Sequence, residues 1–166
     1  MLDASRWALR RIAPAAVVRH LQAVRRAQLH ALRHGLEPRV SFVAEGSVLR
    51  YLRAQLAHAR VERFHVLYLD HAARLIRDEN AASGCVDRCA VYSRQIAARA
   101  LELQASGIII AHNHPSGDPY PSVADVELSR SLGRALALFE MRLHDHLILA
   151  ADGHVSLRAM GVLDED

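Results

Sequence analysis

Lysine is missing from this chain and cysteine is scarce: all 21 basic side chains are arginine, and cysteine occurs 2 times in 166 residues. So complete a preference for arginine, beside abundant alanine, reads as a coding bias rather than a selected patch. The net charge of +3 is therefore a weak pointer to nucleic acid. Cys85 and Cys89 have no second pair near them, which fits neither a zinc ribbon nor a disulfide framework and leaves two ordinary reduced thiols. No apolar run approaches the roughly 20 residues needed to cross a bilayer. The stretch Met1 to Trp7 lacks the apolar core of a secretion signal. The expectation is a cytoplasmic protein with no membrane partner. Internal repeats and low-complexity tracts are absent as well.

Charge is uneven along the chain. Residues 1–60 hold 11 arginines against 3 acidic residues, whereas residues 61–166 hold 10 against 15. In the basic part, Pro14 suits a first helical turn and Gly35 a helix end, bounding a helix of about twenty residues. Val17, Leu21, Val24 and Leu32 make an apolar stripe, with Arg19, Arg26 and Arg33 opposite and Arg25 at its edge. Two readings fit: a solvated basic face on a packing helix, or phosphate contact through the arginines.

Glu37-Pro38-Arg39 breaks to a linker, so the expected organisation is a helical extension over 1–44 and a main domain over 45–166. Ser47 caps a short helix through about His58, and a strand hairpin spans 61–79 around Asp70-His71. A strand over 86–91 precedes a helix from Ser93 that ends before Gly107. A central strand follows, then a helix from Ser122 to about Glu140. A strand over 142–150 turns at Asp152-Gly153 into a last strand from His154 to Leu157. Strands and helices interleave without strict βαβ repetition, which predicts an α/β (α+β) fold with a mixed sheet flanked by helices.

The densest chemical signal lies in 112–125, whose skeleton is His-x-His, seven residues, then Ser-x-x-Asp. The uncharged run ending in Ile108-Ile109-Ile110-Ala111 predicts a buried strand that carries His112 and His114. Side chains two apart on a strand share a face, so the imidazoles can converge on one ion. Asp125 falls in the first turn of the next helix, whose positive end favours the ionised carboxylate that a metal requires. Two nitrogens and one carboxylate leave a fourth position open, which is the arrangement of catalytic rather than structural zinc. Ser122-Val123-Ala124-Asp125 also spells a plain helix capping box, and that reading stands beside the metal one. A second cluster, His144-Asp145-His146 with Asp152 and His154, lacks the spaced serine and acid. His146 or Asp145 there is a candidate partner for the second ring nitrogen of a ligating histidine, or else structural.

Hydrolysis also needs a base. Glu62 is in phase with Phe64, Val66 and Tyr68 on the predicted strand, and an acid on that face would have a raised pKa if enclosed. A frayed first residue turned to solvent is the competing reading.

Glu62, the loop His112-Asn113-His114-Pro115-Ser116-Gly117 and Pro121-Ser122-x-x-Asp125 together resemble the JAB/MPN-type (JAMM motif) zinc hydrolases, specifically their RadC-like branch. Further matches are Arg94 to Ala100, Asp145-His146-Leu147-Ile148, Ser156 and Gly161. The resemblance covers roughly residues 45 to 163. It implies a JAB/MPN, cytidine-deaminase-like architecture, with Zn2+ held by His112, His114 and Asp125. It further implies that Glu62 activates water, that Ser122 holds the developing oxyanion, and that the substrate is a peptide or isopeptide bond in a protein. The branch is associated with DNA repair, so the alternative is a non-catalytic DNA-associated accessory protein, with a metal-dependent nuclease behind it. DNA contact would fall to the arginine-rich N-terminal region, and a homo-oligomer is compatible with either. Fuller RadC-like proteins carry a helix-hairpin-helix segment whose second half Ile12-Ala13-Pro14-Ala15-Ala16 resembles, with Ala13 in place of the hairpin glycine. Other departures are Gly84-Cys85 for Gly-Thr, Ser93-Arg94-Gln95 for Pro-Arg-Glu, and Ser129 for a common Thr.

Overall fold

The computed structural model describes residues 13–36, 45–83 and 93–163. The expected strand over 86–91 and both cysteines lie outside them.

Five strands form one mixed sheet. They are β1 (Arg63–Leu69), β2 (Leu75–Ser83), β3 (Gly107–Asn113), β4 (Arg142–Leu149) and β5 (His154–Ser156), in the spatial order β2-β1-β3-β4-β5. Only β3 and β4 run parallel; the other neighbours are antiparallel. Every residue of β3 is buried, as is all of β1 after Arg63. Such continuous apolar runs, without polar alternation, belong to strands covered on both faces.

Helices supply the two covers. Helices α1 (Ala15–His34) and α2 (Glu45–Leu56) lie over one face, where Tyr51, Leu52 and Leu56 pack with Leu67, Leu69, Ile109 and Leu149. Helices α3 (Ser93–Glu102) and α4 (Val123–Ala137) cover the other, where Ile96, Ala100, Leu132 and Leu136 meet Phe64, Val66, Ile108 and Ile110. The parallel step from β3 to β4 crosses over through α4, which brings the start of that helix beside the end of β3.

Three expectations are corrected. Helix α1 does run between Pro14 and Gly35, but Val17 and Val24 are exposed, while Val18 is buried and Leu21, Arg25, Leu29, Leu32 and Arg33 are half-buried. The inward face is turned because Asp78 on β2 draws Arg33 in, at 2.7 Å from its Nε. Helix α2 starts at Glu45, ahead of Ser47. A serine costs only tenths of a kcal/mol inside a helix, so the burial of Val48, Tyr51, Leu52 and Leu56 places the element rather than the cap. Helix α4 stops at Ala137, short of Glu140, because Glu140 adopts a left-handed φ of 56° and the Met141 N–H turns back to the Leu136 carbonyl. Among the described residues no helix is long and apolar enough to cross a membrane.

Candidate metal centre

His112 is buried near the end of β3, and His114 follows the strand's last residue. The His114 N–H still bonds the Leu149 carbonyl at the end of β4, at 2.8 Å, so the backbone stays extended and both imidazoles leave on one side. Their Nε2 atoms are 2.9 Å apart. Asp125 reaches the same point from the first turn of α4, with Oδ1 3.3 Å from His112 Nε2 and Oδ2 3.6 Å from His114 Nε2. Ligands held at roughly 2.0 to 2.1 Å on tetrahedral corners stand about 3.3 Å from one another, so this spacing suits a zinc-sized ion. Among the described residues no other group of histidine, cysteine and carboxylate side chains converges in this way.

The capping-box reading of Ser122 to Asp125 is seen directly, and it is compatible with the metal one. The Asp125 N–H donates to Ser122 Oγ at 3.2 Å, and the Ser122 N–H donates to Asp125 Oδ2 at 2.8 Å, completing a capping box. That box uses Oδ2, which also faces His114, and leaves Oδ1 turned to His112. Ser122 Oγ also donates to Oδ2 at 2.6 Å. Its single hydrogen is engaged there, so an oxyanion role requires the serine to release Asp125.

Electrostatics favour a cation at the point of convergence. Burial pushes Asp125 up, but the bond from His114, the nearness of His112 and the two Ser122 bonds outweigh it and hold the carboxyl well below its usual range. The same Asp125 bond raises His114, against burial. Burial brings His112 down to about 4, which keeps its ring neutral and ligand-ready. His114 Nδ1 lies 2.9 Å from the Asp118 carbonyl, which only accepts; the neutral ring therefore bears its hydrogen on Nδ1 and a lone pair on Nε2.

Glu62 sits just ahead of β1 and is half-buried, not inside the strand as its phase predicted. The strand starts at Arg63, whose N–H goes to the Asn113 side chain at 3.0 Å. Burial raises Glu62; the charge of His114 lowers it and that of Asp125 raises it, so the acid shares the electrostatic neighbourhood of the ligands. Asn113 entered the sequence reading only as a mark of the resemblance, with no role assigned to it. It is fully buried, accepts from Arg63 N–H and donates to the carbonyls of Ala59 and Val61, at 3.1 and 3.2 Å. One amide thus clamps both peptide groups flanking Glu62, and this residue stands directly between the two histidines.

The rival cluster dissolves. Asp145 accepts from His146 N–H, Ser156 Oγ and Arg158 N–H, which ties β4 to the turn after β5. His144 lies over Gly107, where an added Cβ would meet its Nε2 at 2.3 Å. His146 alone reaches the centre: its Nε2 is 2.8 Å from His112 Nδ1, and its Nδ1 is 2.6 Å from Ser129 Oγ. Phe64 stacks parallel to the His112 ring at 6.0 Å and meets His146 edge-on.

With this geometry in place, comparison with known proteins is direct. A family model described as a RadC-like JAB domain matches residues 43–162. The chain belongs to the RadC-like JAB domain family. A UPF0758 protein of Rhodobacter capsulatus is 40% identical over 148 residues, covering 89% of this chain and 69% of that protein. Another UPF0758 protein, from Ruegeria pomeroyi, is 45% identical over 117 residues, covering 70% of this chain and 52% of its own length. The chain thus spans about half to two thirds of these RadC-like relatives. The mixed sheet with helices on both faces agrees with the JAB/MPN architecture that membership implies.

Proposed function

We propose that this RadC-like chain is a zinc-dependent hydrolase that cleaves a peptide or isopeptide bond in a protein substrate. The observation that carries the reading is the convergence of His112 Nε2, His114 Nε2 and the Asp125 carboxylate on one point, three ligand groups where a closed structural site would have four. Zinc in such a three-ligand site supplies Lewis acidity, which lowers the pKa of a water in the open position toward 7 and polarises a carbonyl. The chain's own residues do the rest. Glu62, with its affinity for protons raised by burial, takes a proton from the attacking water and returns it to the leaving nitrogen. Asn113 keeps the Glu62 backbone fixed on the histidine strand. Ser122, once its hydroxyl leaves Asp125 Oδ2, donates to the developing oxyanion.

The test is a panel of peptide and isopeptide substrates run with and without a chelator, on wild type and Glu62→Gln. The variant is expected to keep its zinc while turnover falls about 10² to 10⁴-fold, the usual contribution of a positioned acid–base group. Cleavage by Glu62→Gln at the wild-type rate would remove the base from the account.

A further inference from the structure

The hydrogen bonds behind His112 have only one consistent direction, and it leads to the centre. The Asp125 main-chain carbonyl accepts and never donates, so the hydrogen of Ser129 Oγ, 2.7 Å away, points to it. A serine has one hydroxyl hydrogen. Toward His146 Nδ1, at 2.6 Å, Ser129 must therefore accept, which puts the His146 hydrogen on Nδ1 and a lone pair on Nε2. That lone pair faces His112 Nδ1 at 2.8 Å, so His112 is the donor in this pair. A neutral imidazole carries one N–H, which leaves His112 Nε2 as a bare acceptor aimed at His114 and Asp125. All three groups of this chain, Ser129, His146 and His112, are buried, so water does not compete for these bonds.

We propose that Ser129 and His146 are positioning residues that hold His112 as its Nδ1–H tautomer, presenting the Nε2 lone pair to the centre before an ion arrives. The chain of bonds closes on itself: it begins at the backbone of Asp125, whose side chain completes the ligand set. One helical turn of α4 thus orients two of the three ligands, the carboxylate directly and the histidine through Ser129 and His146. Outer partners of metal-bound histidines are commonly carboxylates or backbone carbonyls. Here the carbonyl acts at a distance of two side chains, and Asp145, the nearest acid in sequence, is spent on the β5 turn instead.

The inference rests on the metal-site reading above, and its test separates the two. Long-range ¹H–¹⁵N NMR of histidine-labelled, metal-stripped protein near neutral pH reads each tautomer directly. His112 and His146 are both expected as Nδ1–H in wild type. In Ser129→Ala, His146 loses its acceptor, both rings are expected to show mixed tautomers, and zinc affinity measured against a competing chelator should fall about 10 to 100-fold. Ser129→Thr keeps the hydroxyl and should restore both readouts, which a purely steric role for the serine would not require. Wild-type His112 bearing its hydrogen on Nε2 overturns the relay whether or not the alanine variant folds. Equal zinc affinity and unchanged tautomers in Ser129→Ala also overturn it. A wild-type chain that fails to bind zinc counts against the hydrolase, while the tautomers of the stripped protein still decide the relay.

Discussion

Each face of the sheet holds a buried polar cluster, and the two differ in their supply of hydrogens. Beneath α1 and α2, Asp78 accepts from Arg33 Nε at 2.7 Å and from the Tyr51 hydroxyl, and Tyr51 in turn accepts from Gln55 at 3.1 Å. His65 Nε2 stands 3.7 Å from the same carboxylate. Burial pushes Asp78 up, but the donors around it prevail and hold it below the carboxylate range; burial and Asp78 together drive the Tyr51 phenol upward. On the α4 face the balance is reversed. With His114 neutral, two imidazole lone pairs and a carboxylate oxygen meet there, and the one hydrogen that enters the space is the proton His114 shares with Asp125 when its ring is charged. The first cluster gathers its donors around one carboxylate, with only His65 Nε2 left without a hydrogen bond among the described residues, and acts as a fastener between helices and sheet. The second is a set of acceptors that a cation would complete. Donor and acceptor accounting, more than burial or residue type, separates a structural polar cluster from a binding one.

That contrast is open to attack from either side. The largest effect is expected for His114→Ala, which should abolish zinc binding measured by chelator competition while leaving thermal stability close to wild type. Asp78→Ala should do the opposite. Deleting the acceptor of the buried Tyr51 hydroxyl should cost about 1–3 kcal/mol in chemical denaturation, with zinc affinity unchanged. If the two variants gave the same pattern, the division of roles between the faces would be wrong. Asn113→Ala comes next: it should leave zinc affinity within a few-fold of wild type but speed hydrogen exchange at the Arg63 amide, which the asparagine now accepts.

The smallest effect is a pH dependence. His112 and His144 are brought to about 4 and His146 to about 3, chiefly by burial, all below the ordinary histidine value of about 6.5. The unfolded chain then takes up protons that the native state refuses, so stability is whole above about pH 6.5 and declines as pH falls toward about 4. His114, raised by Asp125, acts with the opposite sign and softens the fall. Asp125 and Asp78, both lowered, add their loss only below the usual carboxylate value of about 3.9. The melting temperature of metal-free protein followed from pH 7 to 4.5 should drop, and a flat or rising curve would contradict the burial of these rings.

Much of this was legible in the chain. The β-branched run into His112 marks a strand covered on both faces, and the spacing from His112 to Asp125 points to one centre because strand and helix periodicities are local rules. The turned face of α1 was not legible. Val17 and Val24 fit a helical stripe, yet apolar residues are common on surfaces, and Arg33 is drawn inward by a carboxylate 45 positions away. The roles of Asn113 and Ser129 were obscure for the same reason, since their partners are set by strand register and by the crossover, whereas His146 was already a candidate partner for a ligating histidine and only the choice between it and Asp145 had to wait for the fold. Ser129 left one local trace, standing four residues after Asp125 where a helical hydroxyl reaches back to a carbonyl.

The central claim is that two imidazoles and one carboxylate, and no thiolate, hold a zinc ion. X-ray absorption at the zinc edge of the loaded protein tests it directly. Nitrogen and oxygen scatterers at roughly 2.0–2.2 Å with an imidazole signature are the predicted result. A sulfur shell near about 2.3 Å, which would bring in Cys85 or Cys89, or a spectrum free of imidazole, would contradict it.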